Sequence, residues 1–171
     1  LELVPEDLKP EYFEGDIRWY SAGELNSLYL PDSVEHISET ALQQSSAKLF
    51  KKGTLMIGMY DTAAFKMGIL TEESSSNQAC ANLNPKQGYN IVWLYYLFDI
   101  MKPVFLQERQ GVRQKNLSLS KIKEFEVPFA PFELHFSSIS HTVSALFQSW
   151  SKDLKPQVWL SVMGASTSSL L

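Results

Sequence analysis

GTLMIGMYDTAAFKMGILTE, residues 53–72, carries two apolar runs separated by a short, more polar loop. Apolar runs of this length bounded by turn-forming residues read as strands. The pattern predicts strands at about 54–59 and 65–71, joined by the loop Tyr60–Ala64 (YDTAA). A third strand or partly buried segment follows at QACANLN (78–84), and then a helix over about 89–101. Its apolar centre, IVWLYYLF at 91–98, lies between Asn90 and Asp99. That is well short of the ~20 residues a membrane span requires. The segment reads as a buried core helix stopped by Pro103, and no membrane partner is expected.

Upstream, KPEYFEGDIRWYSAGEL (9–25) reads as a turn feeding a strand, with Gly15-Asp16 as punctuation and Ile17, Trp19 and Tyr20 suited to a pleated surface. Trp19 and Trp93 are expected in the core. Ile37, Leu42, Leu49 and Phe50, with Ser38 as N-cap, predict a helix over 37–50. The Ser-rich SSS at 74–76 and STSSLL at 166–171 stand out as low-complexity tracts. Downstream, QGVRQKNLSLSKIKEFEVP (110–128) offers Gly111 for a turn and Asn116 or Ser118 to cap a short helix through Ile122. Phe125 and Val127 then alternate with Glu124 and Glu126 in a half-buried strand ended by Pro128. Phe136, Ile139, Val143, Leu146, Phe147 and Trp150 recur at helical spacing, an amphipathic helix that Pro156 ends. The fold class is α+β: a β-rich domain with one core helix, followed by a C-terminal amphipathic helix.

With 171 residues, 44% hydrophobic and 20% charged, the chain suits one globular domain. The single cysteine, Cys80, excludes an internal disulfide and a cysteine-built zinc site, and it fits a reducing, cytoplasmic setting. No charged-then-apolar leader is visible, so no signal peptide is expected. Net charge is −4, but it is unevenly spread: residues 1–40 carry −8 and residues 101–123 carry +5. The total argues weakly against a polyanionic partner, and the local cluster argues for one.

Catalytic patterns are wanting. GTLMIG has glycines at phosphate-loop spacing but is followed by Met59 and Tyr60 instead of Lys-Ser/Thr. LNPKQGY (83–89) echoes an amino-methyltransferase motif, with Lys86 where its second proline belongs. Pro31-Asp32 with Asp7-x-Lys9 or Asp153-x-Lys155 meets the short nuclease pattern, which arises cheaply by chance. His36, His135 and His141 fall on separate segments, so no metal site and no cofactor are expected.

In order, the segments resemble the target recognition domain of type I restriction–modification specificity subunits. The resemblance rests on PEYFEGDIRWYSAGELN, on KKGTLMIGMYDTAAFKMGILTEESSSNQACANLNP and on GVRQKNLSLSKIKEFEVPFAP, and it covers about residues 9–131. It implies a DNA recognition domain at 1–131, a spacer or dimerisation helix at 132–153 and an unassigned tail at 154–171. It further implies a non-catalytic subunit that reads one half of a split duplex site. Such a subunit positions a methyltransferase subunit and, through it, a restriction subunit. Candidate DNA-binding residues are Arg18, Ser21, Tyr60, Asp61, Thr62, Arg109, Gln110, Arg113, Gln114, Lys115 and Asn116. Arg and Lys would supply phosphate contacts, whereas base reading needs bidentate side chains such as Arg, Gln and Asn. Asn77-Gln78 matches the family's Asn-Gln pair and reads as a turn.

After Pro131 the sequence leaves the family pattern: FELHFSSISHTVSALFQSW lacks the usual Glu-Gln pair, and no second recognition domain follows. A half-size subunit, a truncated gene and an excised piece all fit. In the first case the stripe Ile139, Val143, Leu146 and Trp150 pairs with a second copy; otherwise it packs on its own domain. Two competing readings stand beside DNA recognition. One is an interaction or decoy module that kept the fold. The other is a carbohydrate binder using Trp19, Tyr20 and Tyr60.

Overall fold

The computed structural model describes residues 10–85, 89–107 and 117–125, with strand positions 127–128 and 159–160. A 3-10 turn at Pro10–Phe13 leads into β1 (Ile17–Tyr20). Then come β2 (Glu35–Ile37), α1 (Glu39–Gln44), β3 (Leu55–Gly58), β4 (Met67–Ile69), β5 (Ser75–Ser76) and β6 (Cys80–Leu83). The chain continues with α2 (Ile91–Gln107), α3 (Leu119–Lys123), β7 (Val127–Pro128) and β8 (Trp159–Leu160). This is the expected α+β mixture. The amphipathic segment expected at 132–153 lies outside the described residues.

Two three-stranded sheets carry the domain, ordered β2-β1-β5 and β4-β3-β6. Strand β3 is buried on both faces, which is why its sequence is a continuous apolar run without alternation. The two-residue period sends Leu55 and Ile57 to one side and Met56 to the other. Leu55 and Ile57 join Met67, Ile69, Ala81 and Leu83 against the α2 residues Trp93, Leu94, Leu97, Phe98 and Met101. Met56 packs with Tyr20, Leu25, Leu30, Phe50 and Leu70 between the sheets. The order of layers is therefore sheet, sheet, helix.

Several expectations are met locally. β1, β3, β4 and β6 fall within the predicted strands, and β6 pairs antiparallel with β3. Ser118 caps α3, its hydroxyl accepting from the Lys121 N–H at 3.2 Å. The Asn77 side chain accepts from the Ala79 N–H at 3.0 Å, a turn as expected.

Other expectations fail, each for a tertiary reason. The helix read over 37–50 is only Glu39–Gln44, with Ser38 as its N-cap. Ile37 belongs to β2, and Phe50 exchanges both backbone hydrogen bonds with Ser74 at 2.8 and 3.0 Å. Helix α2 runs through Pro103 to Gln107 instead of stopping. A mid-helix proline costs about 3 kcal/mol. Met101 and Phe105, flanking it and buried, are each worth about 1.5–3 kcal/mol, so continuing the helix wins. Trp93 is fully buried as expected, but Trp19 is only half-buried. Alternation turns Tyr20 to the inter-sheet core and Trp19 outward, where it meets Phe13 edge-on at 6.2 Å. The serines at 74–76 form no loose tract: all three are buried, and β5 pairs parallel with β1.

Gly15 has a specific task. A side chain there would put its Cβ 2.3 Å from the Ile37 carbonyl oxygen, so only glycine lets the turn before β1 cross β2.

Candidate nucleic-acid interface

At the end of β3 the chain folds back through residues 59–66 into β4. Gly58 makes this possible, since a Cβ there would lie 2.2 Å from the Ala63 carbonyl oxygen. Within the loop, Asp61–Ala63 forms one 3-10 turn, and the Ala63 N–H donates to Tyr60 O at 3.1 Å. Phe65 N–H donates to Gly58 O and Gly58 N–H to Lys66 O, both at 2.8 Å, closing the base of the loop. Tyr60 and Thr62 are exposed at its tip.

The loop's foot is clamped by Phe65, which is fully buried yet has φ +62°. A bulky residue in the left-handed region is strained. Aromatic packing offsets that strain: the ring lies 5.3 Å from Phe105, 6.0 Å from Phe125 and 6.2 Å from Phe98, and Phe105 stacks on Phe125 at 4.0 Å.

Two further segments meet this loop. The 3-10 turn Ala22–Glu24, just after β1, packs on the end of β3: the Ala22 Cβ lies 3.4 Å from the position a Gly58 Cβ would take. The Lys66 ammonium reaches across to Gly23 O at 3.3 Å. From the other direction, the fully buried Leu117 donates its N–H to Met59 O at 2.8 Å. Phe105, near the end of α2, stacks on Phe65. Both described flanks of residues 108–116 are thus seated at the foot of the Tyr60 loop. Arg109, Gln110, Arg113, Gln114, Lys115 and Asn116 themselves lie outside the described residues, as does the Asp61 side chain.

Arg18 and Ser21 are placed differently from the loop. The Arg18 guanidinium points to the flank of β1, with Asp32 at 2.8 Å, Glu72 at 3.6 Å and the Thr71 hydroxyl at 3.0 Å. Asp32 also accepts from His36 at 3.1 Å. Desolvation opposes the Asp32 carboxylate, but the His36 hydrogen bond and the Arg18 charge outweigh it and hold its pKa below the ordinary value. Arg18 is therefore already neutralised in this conformation. Ser21 lies beside the loop, but its hydroxyl and N–H both go to the Glu24 carboxylate, at 2.6 and 2.8 Å. The other Glu24 oxygen accepts from the Val34 N–H at 2.8 Å. Burial works against this charge, and the bonds from Ser21 and Val34 still hold the Glu24 pKa down. Ser21 and Glu24 together make a capping box.

Lys66 escaped the sequence reading because its only signal is spatial: it follows a buried phenylalanine, and nothing local points to Gly23, 43 residues earlier. Among the described residues no cluster of His, Cys, Asp and Glu could hold a metal ion. Burial pushes the Cys80 thiol up to about 12, so it is no nucleophile. None of the described helices is long and apolar enough to cross a membrane. What converges here is an exposed loop tip on a clamped foot, a capped turn and an ammonium: groups that can bind and orient.

The fold and the groups gathered at this loop are those of a domain that can bind, and sequence comparison gives its family. The chain belongs to the family described as type I restriction modification DNA specificity domain, which matches residues 5–146. Among curated proteins it is 29% identical over 131 residues to the type I restriction enzyme MjaIX specificity subunit of Methanocaldococcus jannaschii, covering 74% of this chain and 30% of that one. Its fold is similar to that of the HsdS subunit from Thermoanaerobacter tengcongensis, with TM-score 0.56, 15% identity and coverage of 82% of this chain and 34% of that chain. A chain from a structural study of complex assembly and conformational transition of the type I R-M system gives TM-score 0.59 at 14% identity, covering 88% of this chain and 35% of that chain. The protein thus spans about a third of the length of these relatives.

Proposed function

We propose that this chain is the DNA-reading module of a type I restriction–modification specificity subunit, recognising one half of a bipartite duplex site. The observation that carries the proposal is the Leu117 N–H to Met59 O bond, which seats the exit of the basic connection on the recognition loop. In this reading Arg109, Arg113 and Lys115 grip phosphates, while Tyr60, Asp61, Thr62, Gln110, Gln114 and Asn116 approach base edges. Arg18, already held by two carboxylates, stiffens the flank of β1, and Ser21 shapes the neighbouring turn.

The module catalyses nothing itself. It works in the cytoplasm, positioning a methyltransferase subunit and through it a restriction subunit. In this reading residues 132–153 serve as the spacer, the element through which a second copy would pair.

Selection from random duplex DNA tests the proposal, followed by affinity measurements at rising salt. Four or five neutralised phosphates give a slope of log affinity against log salt of about −4. A selected motif with that slope is expected. No enriched motif together with a flat salt response refutes the reading.

A further inference from the structure

The structure assigns Lys66 a place in DNA binding: we propose that its ammonium contacts a backbone phosphate while tying the Ala22–Glu24 turn to the foot of the recognition loop. The inference rests on the DNA-reading function proposed above. The ammonium has three donors. One goes to Gly23 O at 3.3 Å, and no carboxylate pairs with Lys66 among the described side chains, which do not include that of Asp61. Its backbone is tightly fixed, with Lys66 O bonded to Gly58 N–H at 2.8 Å, its own N–H bonded to Ala63 O at 2.9 Å and the preceding Phe65 locked in the aromatic stack. The charge is therefore held at the junction of the Ala22–Glu24 turn and the Asp61–Ala63 turn, with two donors that meet no acceptor among the described side chains. A phosphate is the chemistry that fits: it accepts several charge-assisted hydrogen bonds and supplies a counter-charge. Such contacts fix register without reading sequence.

Lys52 provides an internal contrast. It is equally cationic and more exposed than the half-buried Lys66, but it precedes β3, whereas Lys66 lies beyond that strand's other end. A four-residue strand separates such ends by about 13 Å. The proposal puts DNA at the Lys66 end.

The test uses the full chain and a short duplex, with affinity measured between 50 and 200 mM salt. One lost phosphate contact shifts the slope toward zero by about 0.9, a change of ~3.5-fold in the ratio of wild-type to variant affinity across that range. Lys66→Ala and Lys66→Gln are expected to show this shift. Lys66→Arg and Lys52→Ala are expected to keep the wild-type slope. The glutamine retains an N–H donor for Gly23 without the charge, so a wild-type slope in Lys66→Gln would reduce Lys66 to a clamp and overturn the proposal. An equal shift in Lys52→Ala would overturn it too, because the effect would then be diffuse electrostatics. A flat response from the unsubstituted protein is a different failure, sinking the DNA-reading function itself.

Discussion

Replacing Phe65 should invert a familiar order of stability. Truncating a fully buried phenylalanine costs about 3–5 kcal/mol. Phe65 also makes ring contacts with Phe98, Phe105 and Phe125, each pair worth about 0.5–1.5 kcal/mol beyond area. Phe65→Ala and Phe65→Gly lose those contacts alike. They differ in the backbone: alanine still has to hold φ +62°, a conformation that costs an L-residue roughly 1–2 kcal/mol and glycine almost nothing. Glycine at an ordinary position is instead worse than alanine by roughly 0.5–1 kcal/mol. Here Phe65→Gly is expected to be the more stable of the two by about 1 kcal/mol, with both well below wild type. Urea unfolding followed by tryptophan fluorescence measures the difference, and for a chain of this size it amounts to about 2–4 °C in Tm. An alanine variant as stable as the glycine variant, or more so, would refute the claim that aromatic burial offsets backbone strain at this residue.

Three other outcomes are expected. Pro103→Ala should raise stability by about 1–3 kcal/mol, because the exposed ring gives way to a residue that restores a helical hydrogen bond; a lower unfolding midpoint would count against the α2 description. Gly58→Ala should lower thermal stability and relax base preference more than phosphate affinity, since its Cβ would meet Ala63 O at 2.2 Å and displace the loop; an unaltered selected motif would contradict this. The Glu24 carboxyl has a folded pKa below its ordinary value of 4.5. Its contribution is complete above 4.5 and disappears as pH falls through the lower folded value, so Glu24→Gln should flatten the acid limb of a stability–pH curve while leaving its shape above pH 6 unchanged.

Much of the site was legible as a place without being legible as an arrangement. YDTAA could be read as a loop because apolar runs flank it on both sides, and the basic stretch is visible as charge alone. That Tyr60, the Ala22–Glu24 turn and the flanks of residues 108–116 share one edge depends on contacts between segments far apart in the chain. Arg18 shows the same limit from the other side. Its residue type and its place after a turn suggest a reader, but Asp32 and Glu72, 14 and 54 positions away, neutralise it.

The sequence by itself determined the elements whose causes are local: the apolar β3–β4 pair, the serine cap at Ser38, the strand over Ile17–Tyr20 and the start of the core helix. Each depends on residues within a few positions of one another, where periodicity and capping chemistry operate. Tertiary structure alone decided the rest. It turned three serines into a buried strand edge, assigned Ile37 and Phe50 to sheets and carried α2 past Pro103 to place Phe105 against Phe65. In all these cases burial against a distant partner outweighed local preference, because one large buried side chain is worth as much as several residues' intrinsic propensity.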